Sequence, residues 1–122
     1  MPHRPYSRKE RFGHEVQRIL GDLILKEIDT SDVGFVTITG VKMTNDLRLA
    51  RVYISILNRK IPEKSVEKFF LERSKYLRKM LGSKISAKSV PELKFFYDES
   101  FEEVEKIERL LSEALSQKKK LI

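Results

Sequence analysis

Apolar residues recur at intervals of three and four from Phe12 onward. Phe12, Val16, Ile19, Leu20, Leu23 and Ile24 form one stripe of a helix, and Ile28 extends it. Ser7 and Glu10 have capping-box spacing, so the helix should start at Ser7 and run to about Glu27. Gly13 and Gly21 lower its propensity, which predicts close packing at those positions. After a loop at 29–34 the period changes to two. Val36 and Ile38 share one face, Val41 and Met43 the other, and Gly40 stands where the parity slips. A bulge there would turn both pairs toward one core. Thr44, Asn45 and Asp46 read as a hairpin turn, with Asp46 stabilising it through its own backbone. In the next strand Ala50, Val52, Ile54 and Ile56 point inward. Arg51, Tyr53 and Ser55 point outward, and Tyr53 reads as a surface cross-strand aromatic, with stacking on a nucleic-acid base as the alternative.

Pro62 opens the following helical pattern, whose stripe comprises Val66, Phe69 and Phe70. The stripe breaks at Glu72, Arg73 and Ser74, then resumes at Leu77, Met80 and Leu81. That break predicts a kink or short turn between two helices, the second capped by Gly82. Beyond Pro91 the alternation returns, with Leu93, Phe95 and Tyr97 on one face of a strand. Ser100 and Glu103 repeat the capping-box spacing before a last amphipathic helix through Leu115. The predicted order is helix, strand, strand, helix, kink, helix, strand, helix. It describes an α+β domain over 7–115, a three-stranded sheet covered by helices on one face. Residues 1–6 are expected to be a mobile arm and 116–122 a basic, frayed tail.

Charge sharpens this picture. The net charge is +7 over 122 residues, unevenly spread. Residues 1–20 carry five basic and two acidic side chains, and residues 60–97 carry ten and four. The stretch between them is balanced, and residues 98–122 are acidic overall despite the lysines at 118–120. Two cationic blocks around a neutral middle favour a polyanionic partner. No cysteine is present, and the two histidines lie near the N-terminus. Thiolate chemistry is therefore excluded, and neither a metal site nor a cofactor site is expected. The acids from Asp98 to Glu103 suit a helix N-terminus and call for no catalytic role. No apolar run has transmembrane length and no signal segment opens the chain, so a cytoplasmic protein away from membranes is expected.

The element order is that of a bacterial-type KH domain (type II order), an RNA-binding module. The glycine loop of such modules is absent at Glu72-Arg73-Ser74-Lys75. Several patterns together resemble the ribosome-binding factor A family: Arg8-x-x-Arg11-x-x-x-Glu15, Val41-x-Met43-Thr44-x-Asp46-Leu47-x-x-Ala50-x-Val52-Tyr53-Ile54-Ser55, Leu77-Arg78-x-x-Leu81-Gly82, and Pro91-Glu92-Leu93-x-Phe95-x-x-Asp98-x-Ser100. Two departures stand out. Thr30-Ser31-Asp32 replaces the family's Asp-Pro-Arg, and Arg73-Ser74-Lys75 replaces its Ala-x-Gly kink.

The resemblance implies a non-catalytic assembly factor. It would bind the immature small ribosomal subunit and its rRNA and assist late rRNA maturation, with ribosomal proteins as further candidate partners and a monomer when free. From charge and helical facing, the candidate phosphate contacts are Arg8, Arg11, Arg73, Lys75, Arg78, Lys79, Lys84 and Lys88. The alternative is a protein-interaction or dimerisation module that makes no direct RNA contact.

Overall fold

A computed structural model describes residues 6–86 and 89–120, apart from the side chains of 101–103, 105 and 117–120. Its elements are α1 (Arg8–Glu27), β1 (Phe35–Met43), β2 (Leu49–Leu57), α2 (Glu63–Gly82), β3 (Glu92–Tyr97) and α3 (Ser100–Lys120). This is the expected KH-like α+β layer. Most of the predicted arm, residues 1–5, lies outside the described residues, as do 121–122.

Strand β2 is central, antiparallel to β1 and parallel to β3. The register slips between Ile38 and Gly40, which leaves Thr39 as the extra residue of the predicted bulge. Val36, Ile38, Val41 and Met43 thereby reach the same face as Ala50, Val52, Ile54 and Ile56. Helices α1 and α2 cover that face. The core joins Val16, Leu20 and Leu23 of α1 to Val66, Phe70, Leu77 and Leu81 of α2 and Leu93 and Phe95 of β3. The rings of Phe70 and Phe95 lie 5.3 Å apart, locking α2 onto β3.

The caps show where local patterning was and was not sufficient. Ser7 Oγ accepts the Glu10 N–H at 3.1 Å, as its spacing predicts. At the start of α3 Asp98 adds contacts that the capping-box spacing does not reveal, and the Glu103 side chain lies outside the described residues. Asp98 Oδ1 accepts from the Ser100 N–H at 3.0 Å and from its hydroxyl at 2.6 Å. The other oxygen of Asp98 takes the hydroxyl of the bulged Thr39 at 2.7 Å, which ties the start of α3 to β1. Asp46 behaves as expected, accepting from the Thr44 hydroxyl at 2.7 Å and the Arg48 N–H at 3.1 Å.

The glycines divide as well. A Cβ on Gly13 would meet the Val41 carbonyl oxygen at 3.0 Å, the close approach that the sequence predicts. Gly21 has open space around it, so that expectation fails there. Helix α3 rests against β2 near its start, but Val104, Ile107, Leu110, Leu111 and Leu115 remain open to solvent.

The expected kink does not divide the second helix. Helix α2 runs unbroken for 20 residues. Arg73 and Lys75 are good helix formers, and no glycine or proline interrupts the turn. The polar gap in the stripe is filled by side chains that fold back on the helix. Arg73 Nη1 donates to the Phe69 carbonyl at 2.9 Å, with its guanidinium 3.5 Å from the centre of the Phe69 ring. Ser74 Oγ donates to the Leu71 carbonyl at 2.7 Å.

Two predictions follow from these contacts. Gly34 has φ +130, and a Cβ there would lie 2.6 Å from Ile56 Cγ2 and 2.9 Å from the Leu57 and Asn58 carbonyl oxygens. Gly34→Ala should therefore cost about 2 kcal/mol or more in urea unfolding. The second concerns acid. The Ser100 hydroxyl, then Thr39, then the Ser100 N–H hold the Asp98 carboxyl below its ordinary value. A depressed folded-state pKa gives stability that is complete above the unfolded value and disappears as pH falls through the folded one. Asp98→Asn should flatten the loss of stability below about pH 4, measured as melting temperature against pH.

Candidate nucleic-acid interface

The outer face of α2 follows from its helical period. Lys75, Arg78, Lys79 and Gly82 are three, one and three residues apart and project to the same side. In the structure these four residues, with Val90, line one shallow depression. All three cations are exposed. Gly82 does not serve as the predicted cap, since the helix includes it and ends on Ser83 in ordinary right-handed conformation. Its bareness has another cause. A Cβ at Gly82 would come within 2.7 Å of Val90 Cγ2, so the chain entering β3 can lie directly on the helix. Arg78 Nη2 donates to the Val90 carbonyl at 3.0 Å and holds that segment down.

The remaining candidates separate into groups. Lys84 reaches across to α1 and lines a second groove with Arg18 and Asp22. Arg8 and Arg11 are exposed at the N-terminal end of α1. With Arg18 they fall within an arc of about 80° at 3.6 residues per turn. Glu15 and Asp22 share that flank, and Asp22 pairs with Lys26 at 3.2 Å. Arg73 is half-buried and committed to Phe69, with Glu72 at 3.9 Å, so it is the least available of the set. Lys88 lies outside the described residues. The structure thus gathers Lys75, Arg78 and Lys79, joins Lys84 to Arg18, and leaves Arg8 and Arg11 at the far end of α1.

The pattern along the chain singles out none of Arg18, Lys42, Arg51 and Lys94. The signal for Arg18 is its helical phase with Arg8 and Arg11. The other three become neighbours only through strand register.

A family model described as ribosome-binding factor A matches residues 8–111. A ribosome-binding factor A from Staphylococcus carnosus is 40% identical over 109 residues, covering 87% of this chain and 92% of that relative. The fold is similar to the crystal structure of ribosome-binding factor A from Thermus thermophilus. That match has TM-score 0.65 and 18% identity over 75% of this chain and 97% of the other. It is also similar to T. thermophilus coordinates fitted into a cryo-EM map of a 30S complex with that factor. There the TM-score is 0.61 and the identity 17%, over 75% and 97% of the two chains.

The packing of Val90 yields a paired prediction. Gly82→Ala should destabilise the protein by about 1–3 kcal/mol through overpacking. Gly21→Ala, in open space on a helix, should gain up to about 1 kcal/mol. Chemical denaturation of the two variants checks both signs.

Proposed function

Because the chain belongs to the ribosome-binding factor A family, we propose that it binds the immature small ribosomal subunit, holds rRNA through the cationic face of α2, and assists late rRNA maturation without catalysing a reaction. The observation carrying this reading is the grouping of Lys75, Arg78 and Lys79 around one depression, exposed and backed by the Arg78–Val90 hydrogen bond. Such a site neutralises phosphates and releases counterions, so its affinity is salt-dependent, and it reads backbone shape rather than base identity. The T. thermophilus coordinates come from a 30S complex, which supports the small subunit as partner.

A protein-contact or dimerisation module is the second reading, and α3 supplies its observation. Val104, Ile107 and Leu111 are each more than half exposed on one helix. That reading predicts a concentration-dependent mass in sedimentation and subunit association that is insensitive to salt.

Co-sedimentation with small subunits separates the two. Reversing Lys75, Arg78 and Lys79 to Glu should weaken association and lower the slope of log K against log salt by about two to three. Lys75→Glu with Lys79→Glu alone, which spares the Arg78–Val90 bond, should give an intermediate loss in a protein of unchanged melting temperature. Unchanged co-sedimentation of both variants would remove α2 from the interface.

A further inference from the structure

The sheet face opposite α1 and α2 carries an arrangement that the function above does not use. Strand register places Lys42 beside Arg51, and Arg51 beside Lys94, in one row across all three strands. All three are exposed, and none belongs to an ion pair found among the described residues. Like charges directly opposite each other destabilise a sheet, so the row is unfavourable for folding alone. Two described carboxylates border this face. Glu92 makes no ion pair with the row, and Asp98 is engaged by Thr39 and Ser100.

The adjacent row is Gly40, Tyr53 and Phe96. The two rings are stacked, 5.6 Å between centroids and 27° between planes. Phe96 is 36% exposed, and Lys42 Nζ lies 5.7 Å from the centre of the Tyr53 ring. Gly40 offers no side chain beside Tyr53, and the space where its Cβ would stand is open. Adjacent same-face rows are about 7 Å apart along a strand, and neighbouring strands about 4.8 Å apart. Three cations and two rings therefore share a compact patch on the sheet.

Ser55, farther along the same face, is buried, so the exposed part is the end that carries these two rows. We propose that this end is a second RNA site, which takes single-stranded RNA by stacking bases on Tyr53 and Phe96 and holding phosphates on Lys42, Arg51 and Lys94. Single strands are specified because the bases of a duplex are stacked on one another and cannot offer a face to a protein ring. An acidic protein segment would use the cations but gain little from an exposed aromatic pair. The site lies across the sheet from α2, so one molecule could hold a folded RNA surface on one side and an unpaired segment on the other.

Fluorescence anisotropy with a labelled ten-nucleotide single-stranded RNA, a duplex of the same length and a polyglutamate peptide tests the proposal on the full chain. Wild type should bind the single strand. Tyr53→Ala with Phe96→Ala should weaken that binding roughly tenfold or more and leave duplex binding unchanged. Tyr53→Leu with Phe96→Leu, which keeps apolar bulk without the rings, should show the same loss if the alanine protein melts early. Lys42→Glu with Arg51→Glu and Lys94→Glu should reduce binding further and flatten its salt dependence.

The proposal is overturned if wild type does not bind the single strand, if it binds polyglutamate as well as RNA, or if both aromatic variants bind like wild type. If the α2 reversal abolishes subunit association while the aromatic variants retain single-strand binding, this inference fails and the proposed function stands.

Discussion

The structure turns on β3 pairing parallel to β2. An antiparallel neighbour could follow by a tight turn, but a parallel one requires the chain to return the length of the sheet. Helix α2 makes that return. Its apolar side must lie over the same face as α1, where Phe70 meets Phe95 and Leu77 and Leu81 complete the core. Both helices that seal the core are therefore on one side. The protein has two unlike surfaces as a result: a helical one, where period 3.6 collects Lys75, Arg78 and Lys79, and a pleated one, where cross-strand register collects Lys42, Arg51 and Lys94.

Much of the fold was legible in the sequence because short-range periodicity and core packing agree. The bulge beside Gly40 is an example, since an apolar parity that slips can be rescued by only a few backbone devices. What was illegible depended on partners distant in sequence. Nothing local to Asp98 reveals that Thr39 of β1 would hold one of its oxygens while the other takes Ser100. Gly82 ends a helical stripe and so looks like a terminator, yet its requirement comes from Val90. The cationic row on the open sheet was hidden for the same reason. Its members lie in three strands and share no local pattern.

The second helix shows how one polar interruption supports two interpretations. Glu72, Arg73 and Ser74 break the apolar stripe, and a break with glycine would favour a bend. Here long side chains cover the gap themselves, Arg73 lying across Phe69 and Ser74 bonding back to Leu71. The helix remains straight enough for residues on either side of the gap to enter one core. Of the two cations at the junction, Arg73 serves this internal purpose and Lys75 remains exposed.

Arg78 belongs both to the exposed face and to the fastening of the chain before β3, through the Val90 carbonyl. Its guanidinium has five N–H donors in a fixed plane. A guest anion can therefore engage the outward donors while the inward ones keep their carbonyl. Arriving at a group already immobilised, that guest forfeits less side-chain freedom than at a free-swinging lysine. The same hydrogen bond joins the outer face of α2 to the segment that leads into β3.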